Sequence, residues 1–429
     1  RSSQMQPNPI TSRRISIYSC RRSLEESWVI MLRMNPNVPL YLDYSATTPL
    51  DPRVLRAMLP FFHEEFGNPS SIHRYGQRAE AAVESSREVC SALLNCHPSE
   101  IVFTSCGSES DNLALRGVAF AARHLRHANH ILISPVEHHA VSHTAEQLHS
   151  IFGFEVELLP VDQYGMVDPQ VVASRIRSDT ALVSIIYANN EIGTIQPIEE
   201  IARITREKNI VFHVDAVDSV GVVPVDVQKL GVDLLSFASN SFYGPAGVGG
   251  VYVRRGTHLW PLLDGGVQEN NRRAGTENLI GIIGMGVAAE LAVRDMTSRI
   301  TAMKQLKDLL LRELPNTISE YIVNGHPELS LPHLASVSIK YIEGESLVLM
   351  LDDDNIAVST RSACAAGALQ ASHVLLSIGR DFADAQGTLV ITFGLDNSEE
   401  DVSRFLKALK EAVKTLREIS PLYAKTAKG

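Results

Sequence analysis

Between residues 100 and 255, short β-rich apolar runs alternate with stretches of helical periodicity. The runs cover 100–105, 130–134, 155–161, 181–188, 210–215, 234–239 and 249–254. Several are almost continuously apolar, the pattern of strands covered on both faces by helices. Strand–helix alternation of this kind predicts an α/β fold around a mostly parallel seven-stranded sheet. Ligands of such sheets bind outside the carboxyl ends of the strands, in the loops that lead into helices. Candidate chemistry is therefore sought there.

From about residue 299 the pattern changes. A charged helix over 299–314 precedes a strand at 336–341, a helix at 345–351 and a closing helix at 399–419. These elements predict a smaller α+β domain, joined by an opening strand around 40–44. The expected division is an N-terminal extension over 1–38, disordered or non-native, a large domain over 55–298, and a small domain from 39–54 with 299–423. No internal repeat or low-complexity linker interrupts the chain.

Composition narrows the class. With 429 residues, 45% of them hydrophobic, the chain can bury a large core, expected in two domains. A net charge of −10 argues against nucleic acid or an anionic membrane as partner. The five cysteines, Cys20, Cys90, Cys96, Cys106 and Cys364, form no CxxC pair. They read as reduced thiols of a cytoplasmic protein, with any function in a single one. The longest apolar stretch, 279–289, is too short to span a bilayer. At the start, Arg13, Arg14, Arg21 and Arg22 among serines fit either a mitochondrial targeting segment or sequence upstream of Met31 or Met34.

Several strand ends carry chemistry. Asp215 closes an apolar strand, where a carboxylate can hold a pyridinium nitrogen protonated or cap the next helix. The turn 103–108 leads into a helix whose first N–H groups, at Gly107 and Ser108, can face an anion. His138 falls after another strand, as catalyst or loop hydrogen-bonder, and Asn190 after a third, as ring-hydroxyl ligand or turn satisfier. Cys364 lies among Ser, Ala and Gly, the setting of a mobile nucleophilic thiol, although a small buried thiol is the commoner fate of a cysteine.

In order along the chain, YLDYSATTPLDPRV (41–54), FGNPSSIHRYG (66–76), FTSCGSESDNLAL (103–115), ANNEIGTIQPI (188–198), FHVDAVDSVG (212–221), FYGPAGVGG (242–250), RRAGTEN (272–278), YIEGES (341–346) and SACAAG (362–367) resemble the cysteine desulfurases of iron–sulfur cluster assembly. The likeness runs from about 39 to SPLY at 420–423. It implies a fold-type I pyridoxal-phosphate transferase of the class V aminotransferase family, usually a homodimer. By this resemblance Gly107 and Ser108 would contact the cofactor phosphate, and Thr276 would reach it from the neighbouring subunit. His138 would stack on the ring and move protons, Asn190 would approach the substrate side, and Asp215 would pair with the ring nitrogen. Cys364 would take sulfur from L-cysteine as a persulfide, release alanine, and pass the sulfur to a scaffold or other acceptor.

The chain departs from that pattern in one region. The family motif Ser-x-His-Lys, whose lysine holds the cofactor covalently, reads Ala238-Ser239-Asn240-Ser241. Asp218 stands for a glutamine that donates to the ring oxygen, and Val390 and Leu395 stand for two arginines, the first of which clamps the substrate carboxylate. Serine is neither a base nor an imine former at neutral pH, so little alanine release is expected from the isolated chain. Two functions follow. One is a slow desulfurase that binds pyridoxal phosphate weakly or without a covalent link. The other is a catalytically lost assembly partner, free-standing or paired with an intact desulfurase. It would keep Cys364 as sulfur acceptor or as a ligand to a transient [2Fe-2S] cluster shared with a scaffold. A third, repurposed reading has the Gly107–Ser108 turn bind another small anion.

Overall fold

A computed structural model describes residues 39–360, 371–421 and 423. All elements named here belong to one compact unit, formed by the described residues from 41 onward. The expected extension over 1–38 lies outside the described residues.

All seven predicted runs form strands, each within about a few residues of its expected end. They are β1 (Ile101–Thr104), β2 (His130–Ile133), β3 (Glu155–Leu158), β4 (Thr180–Ile186), β5 (Val211–Asp215), β6 (Leu234–Ala238) and β7 (Gly249–Val253). They build one sheet in the order β1-β7-β6-β5-β4-β2-β3. Neighbours from β6 to β3 run parallel, whereas β7 is antiparallel to both β6 and β1. Every residue of the central β4 is buried, because helices cover both faces. From β2 the chain moves outward to β3, then returns to the other side of β2 for β4. The order reverses between these two strands, so a crevice opens at their carboxyl ends.

Two helices fix that edge of the sheet. The helix α1 (Arg74–Leu94) carries Arg87, whose guanidinium donates to both oxygens of buried Glu269 at 2.7 Å. Glu269 Oε2 also accepts from the Phe103 N–H at 2.9 Å, tying α1 to β1. The helix α2 (Gly107–Arg126) starts at Cys106, whose Sγ accepts from the Glu109 N–H at 3.4 Å. Arg123, His124 and Arg126 in its last turn complement the helix dipole.

Beyond the crevice, α3 (His139–Ser150) and α4 (Ile198–Glu207) return the chain to the sheet. The apolar stretch 279–289 and the helix expected at 299–314 prove to be one helix, α5 (Leu279–Thr317). Its glycines belong to the packing: a Cβ on Gly286 would sit 2.7 Å from Ser86 Cβ of α1. The glycine-rich run lets two long helices approach closely.

The remaining elements match the α+β pattern. The strands β8 (Tyr321–Asn324), β9 (Leu334–Ile339) and β10 (Thr388–Thr392) form an antiparallel sheet in the order β10-β9-β8. With them stand α6 (Gly344–Asp353), α7 (His373–Ser377) and α8 (Glu399–Ile419), the last closed by a capping box between Ser398 and Asp401. Among the described residues no helix is long and apolar enough to cross a membrane.

Candidate active site

The crevice gathers most of the residues singled out from sequence. Asp215, the last residue of β5, is buried, and its Oδ1 accepts from the Val217 N–H at 3.0 Å. His138 follows β2 and caps α3, its Nδ1 accepting from the Ala140 N–H at 3.1 Å. A neutral ring held this way keeps its proton on Nε2. Asp111, one turn into α2, completes the group: Asp111, His138 and Asp215 offer ligand atoms that all lie within 4.8 Å of one another.

Asp111 belongs to a polar path through the sheet. His213 stands two residues before Asp215 on β5, on the same face. Its Nδ1 lies 2.8 Å from Ser184 Oγ on β4, and its Nε2 lies 2.9 Å from Ser236 Oγ on β6. Burial pushes this imidazole down to about 3, so it is neutral. Its Nε2 is also 3.7 Å from Asp111 Oδ1, an oxygen that lacks a hydrogen-bond partner.

Three carboxyl groups are therefore buried together. Glu137 Oε1 accepts from the Ser134 hydroxyl and from the Ile186 N–H, while its Oε2 is unpartnered. Burial raises Glu137 to about 8 and Asp215 to about 6. Asp111 is raised well above the carboxylate range by burial and then by Asp215. Among the described residues no lysine or arginine pairs with any of the three. Carboxyls so placed hold protons or await a positively charged occupant.

This sets a pH dependence. The folded state raises Glu137 from 4.5 to about 8, so it holds a proton that the unfolded chain gives up. The resulting stability is whole below the unfolded value and lost as pH rises through about 8. Glu137→Gln keeps an acceptor for Ser134 and Ile186 and removes the titration. The cofactor-free variant should gain on the order of a few kcal/mol over the parent at pH 8 and show a shallower fall in Tm from pH 5 to about 8. An unchanged slope in Tm against pH would contradict the assignment.

The phosphate-type turn stands beside this cluster. Gly107 opens α2 packed on the loop after β5: a Cβ there would meet Val217 Cγ2 at 2.6 Å. Ser108 is exposed next to it. In the first turn, Glu109 accepts from the Ser105 N–H at 2.7 Å and from Arg273 Nε at 2.9 Å. That second bond ties α2 to the segment bearing Thr276, which is itself exposed. Arg273 had no signal in sequence beyond its place in RRAGTEN.

The two amides after β4 divide their work. Asn189 Nδ2 donates to the Val136 carbonyl at 2.8 Å, and its Oδ1 accepts from the Glu191 and Ile192 N–H groups at 2.9 Å. Turn satisfaction therefore falls to Asn189, and the neighbouring Asn190 is nine-tenths buried at the crevice edge. Cys364 lies outside the described residues.

Comparisons with known proteins extend over nearly the whole chain. The model of the aminotransferase class-V family matches residues 40–405. The cysteine desulfurase IscS of Dictyoglomus turgidum is 48% identical over 382 residues, covering 89% of this chain and 96% of that protein. The chain belongs to the cysteine desulfurase family of class V aminotransferases. A solved NifS-like protein is 39% identical with a TM-score of 0.82, covering 88% of this chain and all of that one. A structure described as SspA in complex with cysteine is 35% identical with a TM-score of 0.74, covering 83% and 99%.

The segments after β6 and on β10 border the same region. Ala238 ends β6, and Ser239, Asn240 and Ser241 form a 3-10 turn directly after it. The Asn240 carbonyl accepts from both the N–H and the hydroxyl of Thr48. Val390 on β10 is buried in an apolar cluster with Ala188, Val222, Leu331 and Leu334. Asp218 and Leu395 are half-buried.

Proposed function

We propose that this protein is a slow cysteine desulfurase, which holds pyridoxal phosphate without a covalent link and passes sulfur from L-cysteine through Cys364 towards iron–sulfur assembly. The observation that carries the reading is the buried trio Asp111, Glu137 and Asp215, without a lysine or arginine, opposite His138. A protonated ring nitrogen is the occupant this charge pattern suits.

The residues present fit the ring and the phosphate turn, but they do not fit covalent capture. Asp215 would hold the ring-nitrogen proton, with Asp111 and His213 behind it. His138 would cover a ring face, and the first N–H groups of α2, at Gly107 and Ser108, would take the phosphate. Thr276 would reach the phosphate across a homodimer. Pyridoxal phosphate, when bound, supplies an electron sink for the substrate carbon. Ser241 stands at the position that the family resemblance gives to lysine, and it supplies neither base nor imine. The missing base alone is worth about 10²–10⁴-fold in rate. Val390 likewise offers the substrate carboxylate no cation.

L-Cysteine as substrate draws support from the SspA relative described in complex with cysteine. The sulfur acceptor is a scaffold protein or another thiol, and a cluster ligand role for Cys364 belongs to the same handover. The catalytically lost reading has no support from the relatives. Cysteine radiolabelled at sulfur tests the proposal. Label should appear on the protein under non-reducing conditions, only with added cofactor, and leave on reduction. Labelling that ignores the cofactor would defeat it.

A further inference from the structure

Outside the crevice, three imidazoles gather where the start of α3 meets α7. His139 and His143 stand one turn apart on α3, so both fall on one helix face. Their rings stack with centroids 4.6 Å apart and planes 26° apart. His373, the first residue of α7, approaches His139 from the other side, at 4.8 Å and 41°. His139 is the shared member of both pairs.

The structure also sets the chemical form of these rings. His373 Nε2 lies 2.9 Å from the Glu137 carbonyl oxygen. A carbonyl only accepts, so Nε2 carries the proton and Nδ1 keeps its lone pair. Metal-ligating histidines are held in this way, with the second ring N–H given to a carbonyl or carboxylate. Although the residue is exposed, partial desolvation of its ring, followed by the neighbouring His373, His143 and His138, pushes His139 down to about 4. It is therefore neutral at pH 7, and no carboxylate is among the groups that act on it.

We propose that His139, His143 and His373 form a binding site for a divalent transition-metal cation of the zinc and cobalt class. Two imidazoles on one tetrahedral ion, with metal–nitrogen bonds of about 2.1 Å, place their ring centroids about 5 Å apart. The two pairs, at 4.6 and 4.8 Å, bring the rings near that distance, and the stacked His139 and His143 rings must turn before their nitrogens converge on one ion. His139 and His373 supply the first two nitrogens, His143 joins by rotation of its side chain, and water completes the sphere. Neutral nitrogen ligands favour zinc, cobalt, nickel and copper over magnesium and calcium. A bound ion would fasten α3, whose cap is His138, to α7.

The test is a titration of the full, reduced chain with Co²⁺, followed by visible absorption and calorimetry, without pyridoxal phosphate or cysteine. The readout is thus independent of desulfurase activity. One ion per chain is expected, displaced by Zn²⁺, without the intense near-ultraviolet band of thiolate ligation. His139→Ala and His373→Ala should each weaken binding by about 10–100-fold. His139 is exposed at the first position of a helix, where alanine is well tolerated, and circular dichroism checks both variants. No bound Co²⁺, unchanged affinity in His139→Ala, or a thiolate band would overturn the proposal.

Discussion

Replacing Cys364 with alanine is expected to abolish sulfur transfer, leaving no reducible sulfur on the protein and none delivered to an acceptor. The step needs a thiolate nucleophile, and the other described cysteines are poorly suited to replace it. Burial pushes Cys90 and Cys96 up to about 12, so both stay protonated near neutral pH. Cys106 is exposed, but its sulfur serves as the cap of α2, accepting from the Glu109 N–H. Cys106→Ala should therefore keep transfer while losing about 1 kcal/mol of stability with the cap. Mass spectrometry of the two variants after exposure to cysteine and cofactor separates the outcomes. Persulfide sulfur still delivered by Cys364→Ala at the parent rate would contradict the proposed route.

The second large effect is a gain. Ser241→Lys should create a covalent attachment for pyridoxal phosphate, seen as cofactor that stays on the chain after borohydride reduction and denaturation. Position 241 suits the test, because it ends the turn after β6, next to the strand bearing Asp215. Alanine release should rise by about 10²-fold or more, since a base returns to the site. Full recovery is not expected, because Val390 remains packed among Ala188, Val222, Leu331 and Leu334 and gives the carboxylate no partner. Recovery to the rate of a lysine-bearing relative would show that the carboxylate contact matters little. Failure to attach the cofactor would mean that residue 241 does not face the pocket.

Most of the sheet was readable from sequence because its strands, apart from the exposed edge strand β3, are buried on both faces and therefore nearly continuously apolar. Asp215 was readable for the same reason, as a lone carboxylate ending such a run. The rest of the cluster was not. Asp111 sits on a helix between polar neighbours, where a buried aspartate and a solvated one look alike. His213 lies inside a strand, and its role depends on Ser184 and Ser236, which only strand register brings beside it. Glu137 was visible only as the neighbour of His138, and Arg273 only as part of a motif. Between Asn189 and Asn190, sequence could not assign the turn-satisfying role, because both amides have the same chemistry. Only the second half of α5 was legible in sequence, because the glycine-rich first half shows its role only in its contact with α1.

The central claim is that this pocket, lacking a lysine at position 241, still supports desulfuration with the cofactor held by its ring and phosphate contacts. The most direct measurement is alanine release from L-cysteine by the purified protein, with and without saturating pyridoxal phosphate, in the presence of a thiol reductant. The account predicts cofactor-dependent release, slower than a lysine-bearing relative by about 10²–10⁴-fold. No alanine above the rate of free cofactor and cysteine, from folded protein shown to bind the cofactor, would contradict it.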